Sequence, residues 1–121
     1  MASKLVVAVD GSSESRRAVD WCAKNALLLG LDVVAVQALE VPIYPAAGQL
    51  GPMIMGPVFT DADRQEIRDT MKNDWCKPLS DAGVNFEVAL ATGYPATVIQ
   101  QVAEQHNASL VVAGRRVADH A

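Results

Sequence analysis

The stretch Lys4–Leu39, KLVVAVDGSSESRRAVDWCAKNALLLGLDVVAVQAL, decides the fold. Its opening run, residues 4–9, is β-branched and apolar on both faces, the pattern of a strand buried in a parallel sheet, and it ends at Asp10-Gly11. Ser12 or Ser13 can cap the next element, in which Val19, Cys22, Ala23, Ala26 and Leu27 recur at helical steps as far as Gly30. Residues 31–39 repeat the buried-strand pattern. Strand, helix and strand in about 40 residues is the length of a right-handed βαβ unit, so the sheet is parallel.

Beyond Leu39 the text changes. Residues 41–59, VPIYPAAGQLGPMIMGPVF, carry four prolines and three glycines, which forbids a long regular element and reads as a long flexible loop. Met53, Ile54, Met55, Val58 and Phe59 are costly to leave together in water. They either fold over the strand ends as a lid, meet a partner, or sit in a disordered loop that tolerates them. Thr60 then caps a charged helix over 60–83, with Asp63 completing a capping box, Pro78 kinking or ending its last turns and Gly83 closing it. Residues 84–91, VNFEVALA, alternate as a third strand near a sheet edge. Pro95 opens a short amphipathic helix whose stripe is Val98, Ile99, Val102 and Ala103, and residues 109–113 form a fourth strand. The expected architecture is a single α/β domain over 1–121, a three-layer α/β/α open parallel sheet.

Composition limits the function classes. A net charge of -4 provides no basic field for nucleic acid, and no apolar stretch reaches membrane-spanning length. The two cysteines, Cys22 and Cys76, stand far apart, with neither a disulfide framework nor a zinc spacing, which points to a reducing, cytoplasmic setting. Neither G-x-G-x-x-G nor the P-loop motif occurs, and no nucleophile elbow exists. His106 reads as a helix-end residue and His120 as solvated. The Asp-Trp-Cys tripeptide at 20–22 and 74–76 has unrelated flanks, so both tryptophans are expected to pack in the core.

In an open parallel sheet ligands bind beyond the carboxyl ends of the strands, where the connections diverge. Asp10-Gly11-Ser12-Ser13 stands at such an end. It admits two readings: a cap of the first helix, or a nucleoside seat in which Asp10 accepts from an amine or ribose hydroxyl while the glycine lets the backbone approach.

The segments VVAVDGSSESRRAVDWC and TGYPATVIQQVAEQHNASLVVAGRR, with the long loop after the second strand, together resemble a universal stress protein domain over residues 4–116. The resemblance implies a Rossmann-like sheet of the adenine nucleotide alpha hydrolase-like type, a cytoplasmic stress-response role, homodimers and, in one subset, ATP binding. Magnesium would arrive only with the nucleotide. The family's sheet is ordered 3-2-1-4-5, which without a fifth strand leaves 3-2-1-4 here. Carried over by position, Asp10, Gly11 and Ser12 match the adenosine site, Ala38 the strand position whose backbone faces adenine, and Ala113 and Gly114 the entry to the nucleotide loop. Arg115 and Val117 fall on the phosphate side. Val117 replaces the motif's second glycine, Ser109 replaces an acidic residue, and the closing G-[ST] is missing, so the phosphate grip is expected to be incomplete. Arg115 and Arg116 either contact phosphate or form a solvated turn. One shortening of the chain would explain both the unfinished loop and the unfinished sheet; a covering subunit is the other explanation. The implied function is a non-enzymatic module binding an adenine nucleotide, with a dimeric interaction protein of the same fold as the alternative.

Overall fold

The computed structural model describes residues 3–39, 43–45, 52–54 and 59–114. A four-stranded parallel sheet contains β1 (Ser3–Ala8), β2 (Leu31–Leu39), β5 (Phe86–Thr92) and β6 (Leu110–Val112), in the order β5-β2-β1-β6. Counted along the parallel strands alone, that is the expected 3-2-1-4. Two three-residue strands, β3 (Ile43–Pro45) and β4 (Pro52–Ile54), pair antiparallel inside the stretch read as a loop. Each strand has a proline at one end, where the missing N–H costs little, and this is why the proline count excluded long elements but not these short ones.

The helices form two layers. α1 (Ser13–Leu29) lies on one face with α2 (Asp61–Thr70) and α3 (Lys77–Asp81), and α4 (Pro95–Gln105) lies on the other. Strand alternation assigns the partners: Leu5, Val7, Val9, Val33 and Ala35 join the α1 side, whereas Val6, Val34 and Val36 meet Val98 and Val102 of α4. Central strands apolar on both faces therefore stand where the sequence placed them.

The ends of the elements follow from individual residues. Ser12 caps α1 by accepting from the Ser15 N–H at 3.1 Å, and Gly30 closes it in the left-handed conformation. Thr60 and Asp63 form the expected capping box. The helix it opens is not continuous. Cys76 N–H donates to Met71 C=O, five residues back, so Met71–Trp75 is a π-turn, and α3 restarts with Pro78 in its first turn. Two sequence expectations are corrected on α1: Trp21 and Leu27 are 42% and 59% exposed and do not pack in the core. Burying Val19, Cys22 and Ala26 turns Trp21 and Leu27 to the sides of the helix, toward water.

Candidate functional site

The strand order reverses at β1, with α1 on one face and α4 on the other, so the carboxyl ends of β1, β2 and β6 open into a crevice. A cleft of about 420 Å³ lies there, within the size range of small-molecule sites. Its floor is Ala8, Val9 and Asp10 from β1 and its exit, and Gln37, Ala38 and Leu39 from β2. Ser12 and Ser15 at the start of α1, Pro95 and Ile99 of α4, and Gly114 beyond β6 complete the wall.

The polar side of the cleft is held by a local network. Ser12 N–H donates to Asp10 Oδ1 at 2.9 Å, Ser15 Oγ donates to Ser12 C=O at 3.1 Å, and Asp10 N–H reaches Ser15 Oγ at 3.4 Å. Ser15 is buried and Asp10 is exposed. The Ser12 hydroxyl beside Asp10 lowers its carboxyl pKa below the usual carboxylate range; partial burial opposes this, and the Ser12 amide adds to the lowering. The turn is thus both a helix cap, through Ser12, and an anionic group at the cleft, through Asp10. Oδ1 of that carboxylate accepts from the turn's own Ser12 amide, and the group stands exposed at the cleft as an acceptor.

Of the residues singled out from sequence, Asp10, Ser12, Ala38 and Gly114 meet around this cleft. Gly11 and Ala113 do not line it. Gly11 has φ +82° and the space a side chain would fill is taken by Trp75. Gly114 does double duty, because a methyl there would collide with the Glu14 carbonyl and lie 2.8 Å from Ser15 N. Arg115 and Val117 lie outside the described residues, as do Met55 and Val58 of the lid reading.

Gln37 is the residue that sequence reasoning passed over. It lines the cleft, and its Oε1 is buried with no hydrogen-bond partner among the described residues. The signal was present: one amide in an otherwise apolar strand end, LDVVAVQAL. A buried amide oxygen without a donor costs about 1–3 kcal/mol, which a ligand donor or an ordered water would relieve.

A second groove of about 450 Å³ runs between α4 and β6, but its walls are mostly Ala, Ile and Val and no strand-end turn enters it. His106 lies at the opposite end of the sheet from the cleft, with Nδ1 3.4 Å from Glu87 Oε1 and 3.4 Å from Lys4 Nζ. No group of three or more His, Cys, Asp or Glu side chains stands together as a metal site among the described residues. None of the described helices is long and apolar enough to cross a membrane.

Comparison with known proteins gives a consistent result. Residues 1–121 match the description "Universal stress protein family". The universal stress protein YxiE of Bacillus subtilis is 28% identical over 96% of this chain and 80% of its own. A crystal structure from the same family in Burkholderia pseudomallei superposes with a TM-score of 0.71 at 25% identity, covering 93% of this chain and 81% of that one. The Archaeoglobus fulgidus universal stress protein in complex with dAMP gives 0.64 at 25% identity, over 92% of this chain and 79% of that one.

Proposed function

The chain belongs to the universal stress protein family, and from that premise we propose that it is a non-enzymatic binding module whose cleft takes the adenosine part of an adenine nucleotide. The observation that carries the reading is the meeting of Asp10, Ser12 and Gln37 around one cleft at the ends of β1 and β2. The dAMP complex of the A. fulgidus relative supports the class of ligand. In this reading the Asp10 carboxylate accepts from a ribose hydroxyl or an amine, and the Ala38 backbone faces the base. Pro95 and Ile99 give the base an apolar wall, and the Gln37 amide satisfies its orphaned oxygen from a ligand N–H or O–H. Gly114 lets backbone approach the ligand from β6. Arg115 and Val117 fall on the phosphate side, where a valine stands in place of the motif's second glycine, and magnesium would come only with the phosphates. A homodimer in the cytoplasm is the setting we propose for the module.

Calorimetric titration with adenosine, AMP and Mg-ATP tests this. Comparable affinity for all three is expected, because the cleft recognises the nucleoside and not the phosphates. Absence of heat with every one of them would overturn it.

One observation favours the alternative of an interaction module. The end of α1 exposes Leu27, Leu28 and Leu29, with Leu28 at 82%, beside Trp21 on the same helix. Asp10→Ala separates the two readings, since it should abolish adenosine binding and leave an interaction through α1 unchanged.

A further inference from the structure

We propose that Trp75 is a positioning residue for the Asp10–Ser12 turn, and that the π-turn at Met71–Trp75 exists to place it there. A side-chain carbon at Gly11 would lie 2.7 Å from Trp75 Cζ2, 2.8 Å from Cε2 and 3.2 Å from Nε1. The indole edge therefore occupies the side-chain space of Gly11 and closes the back of the turn whose front carries Asp10.

The turn needs such a brace. Its centre is a glycine at φ +82°, the residue type with the most backbone freedom to lose. Its own bonds all run to the start of α1: Ser12 N–H to Asp10 Oδ1 at 2.9 Å, Ser15 N–H to Ser12 Oγ and Ser15 Oγ to Ser12 C=O at 3.1 Å, and a long one of 3.4 Å from Asp10 N–H to Ser15 Oγ. The Trp75 contact at Gly11 adds a hold on the turn from a different element, on the residue next to the carboxylate.

The π-turn explains how the brace arrives. Met71, Cys76 and Leu79 are all fully buried in the same core. In a straight α-helix, at about 100° per residue, side chains five apart point about 140° away from each other, so Met71 and Cys76 could not share one face. The Cys76 N–H to Met71 C=O bond of 2.8 Å absorbs one extra residue and brings both inward. Trp75, next to Cys76, is then carried to the rim of that core, half-buried, against Gly11.

That the turn holds a ligand rests on the function proposed above; that Trp75 fixes the turn does not, and the test separates the two. In the ligand-free protein, Trp75→Ala should speed exchange of the Ser12 amide about tenfold or more while amides of β1 and β2 stay protected, and Trp75→Phe should stay near the parent. Unchanged Ser12 exchange in a folded Trp75→Ala protein overturns the inference. Should that variant not fold, Gly11→Ala in a Trp21→Phe background gives the reciprocal reading. The added methyl must push the indole away, so the emission of the sole tryptophan should shift, and an emission equal to the Trp21→Phe parent overturns the inference. With adenosine, Trp75→Ala should bind about 3- to 10-fold more weakly and Trp75→Phe nearly as the parent. Equal affinity in Trp75→Ala refutes the positioning role, whereas no heat from the parent protein refutes the nucleotide reading and leaves the exchange result to decide this one.

Discussion

Two glycines of this chain separate conformational from steric demand. Gly30 sits at φ +68° with nothing within 4 Å of a built side chain, so Gly30→Ala should cost only the left-handed strain, about 1–2 kcal/mol. Gly114 has no such φ, yet a methyl there strikes the Glu14 carbonyl. We expect Gly114→Ala to cost about 1–3 kcal/mol in denaturant unfolding and also to disturb the cleft, because the first turn of α1 must shift. A second expectation concerns Asp10. Its folded pKa lies below the ordinary 3.8, chiefly through the Ser12 hydroxyl, so its contribution to the turn is present above that value and is lost as pH falls through the lower folded value. Adenosine affinity measured by calorimetry should therefore be flat from about pH 8 to pH 5 and fall only below about pH 4, with Asp10→Asn showing the weakened affinity at every pH.

At the scale of elements, capping and core patterns were readable because they depend on neighbours in sequence. Thr60 and Asp63 announced the start of α2, and Thr60→Ala should lower stability by about 1 kcal/mol in chemical denaturation, since it removes one acceptor from an orphan N–H. Replacing Asp63 alone by Asn should cost less, because the neutral amide still accepts from the Thr60 N–H. The π-turn was not readable. Pro78 hinted at a break, but the extra residue is inserted at Met71–Trp75, before the proline, and its cause is the shared burial of Met71 and Cys76 against α1 and the sheet. Trp75 was likewise expected in the core, and it is found at the core's rim against a residue far away in sequence. Asp10 and Ser12 could be placed at the crevice because topology puts the end of the first strand there, whereas Ala38 and Gly114 were legible only through the family resemblance. Gln37 could not, because a single amide in a strand does not say whether it finds a partner, and only the packed structure leaves its oxygen without one.

Taken as a whole, the molecule joins the cleft to the larger of its two cores. Ser12 and Ser15 begin α1, and Cys22 farther along α1 is sealed with Cys76 in the layer between α1, α3 and the sheet. Burial pushes both thiols up to about 12. The unfolded chain ionises its thiols from about pH 9, so their contribution to stability is complete below that value and declines as pH rises toward 12. At pH 8 the folded protein should then react with an aromatic disulfide reagent only through opening of the core, both thiols at one slow rate. A ligand that binds the native cleft and not the open chain lowers the open population in proportion to its saturation. Adenosine at about 100 times its Kd should thus slow labelling of both cysteines about 100-fold. If Cys76 reacted quickly while Cys22 stayed protected, the π-turn and α3 would open on their own. The cleft would then be coupled to that segment through Trp75 alone, and adenosine would slow only the Cys22 reaction by the full factor.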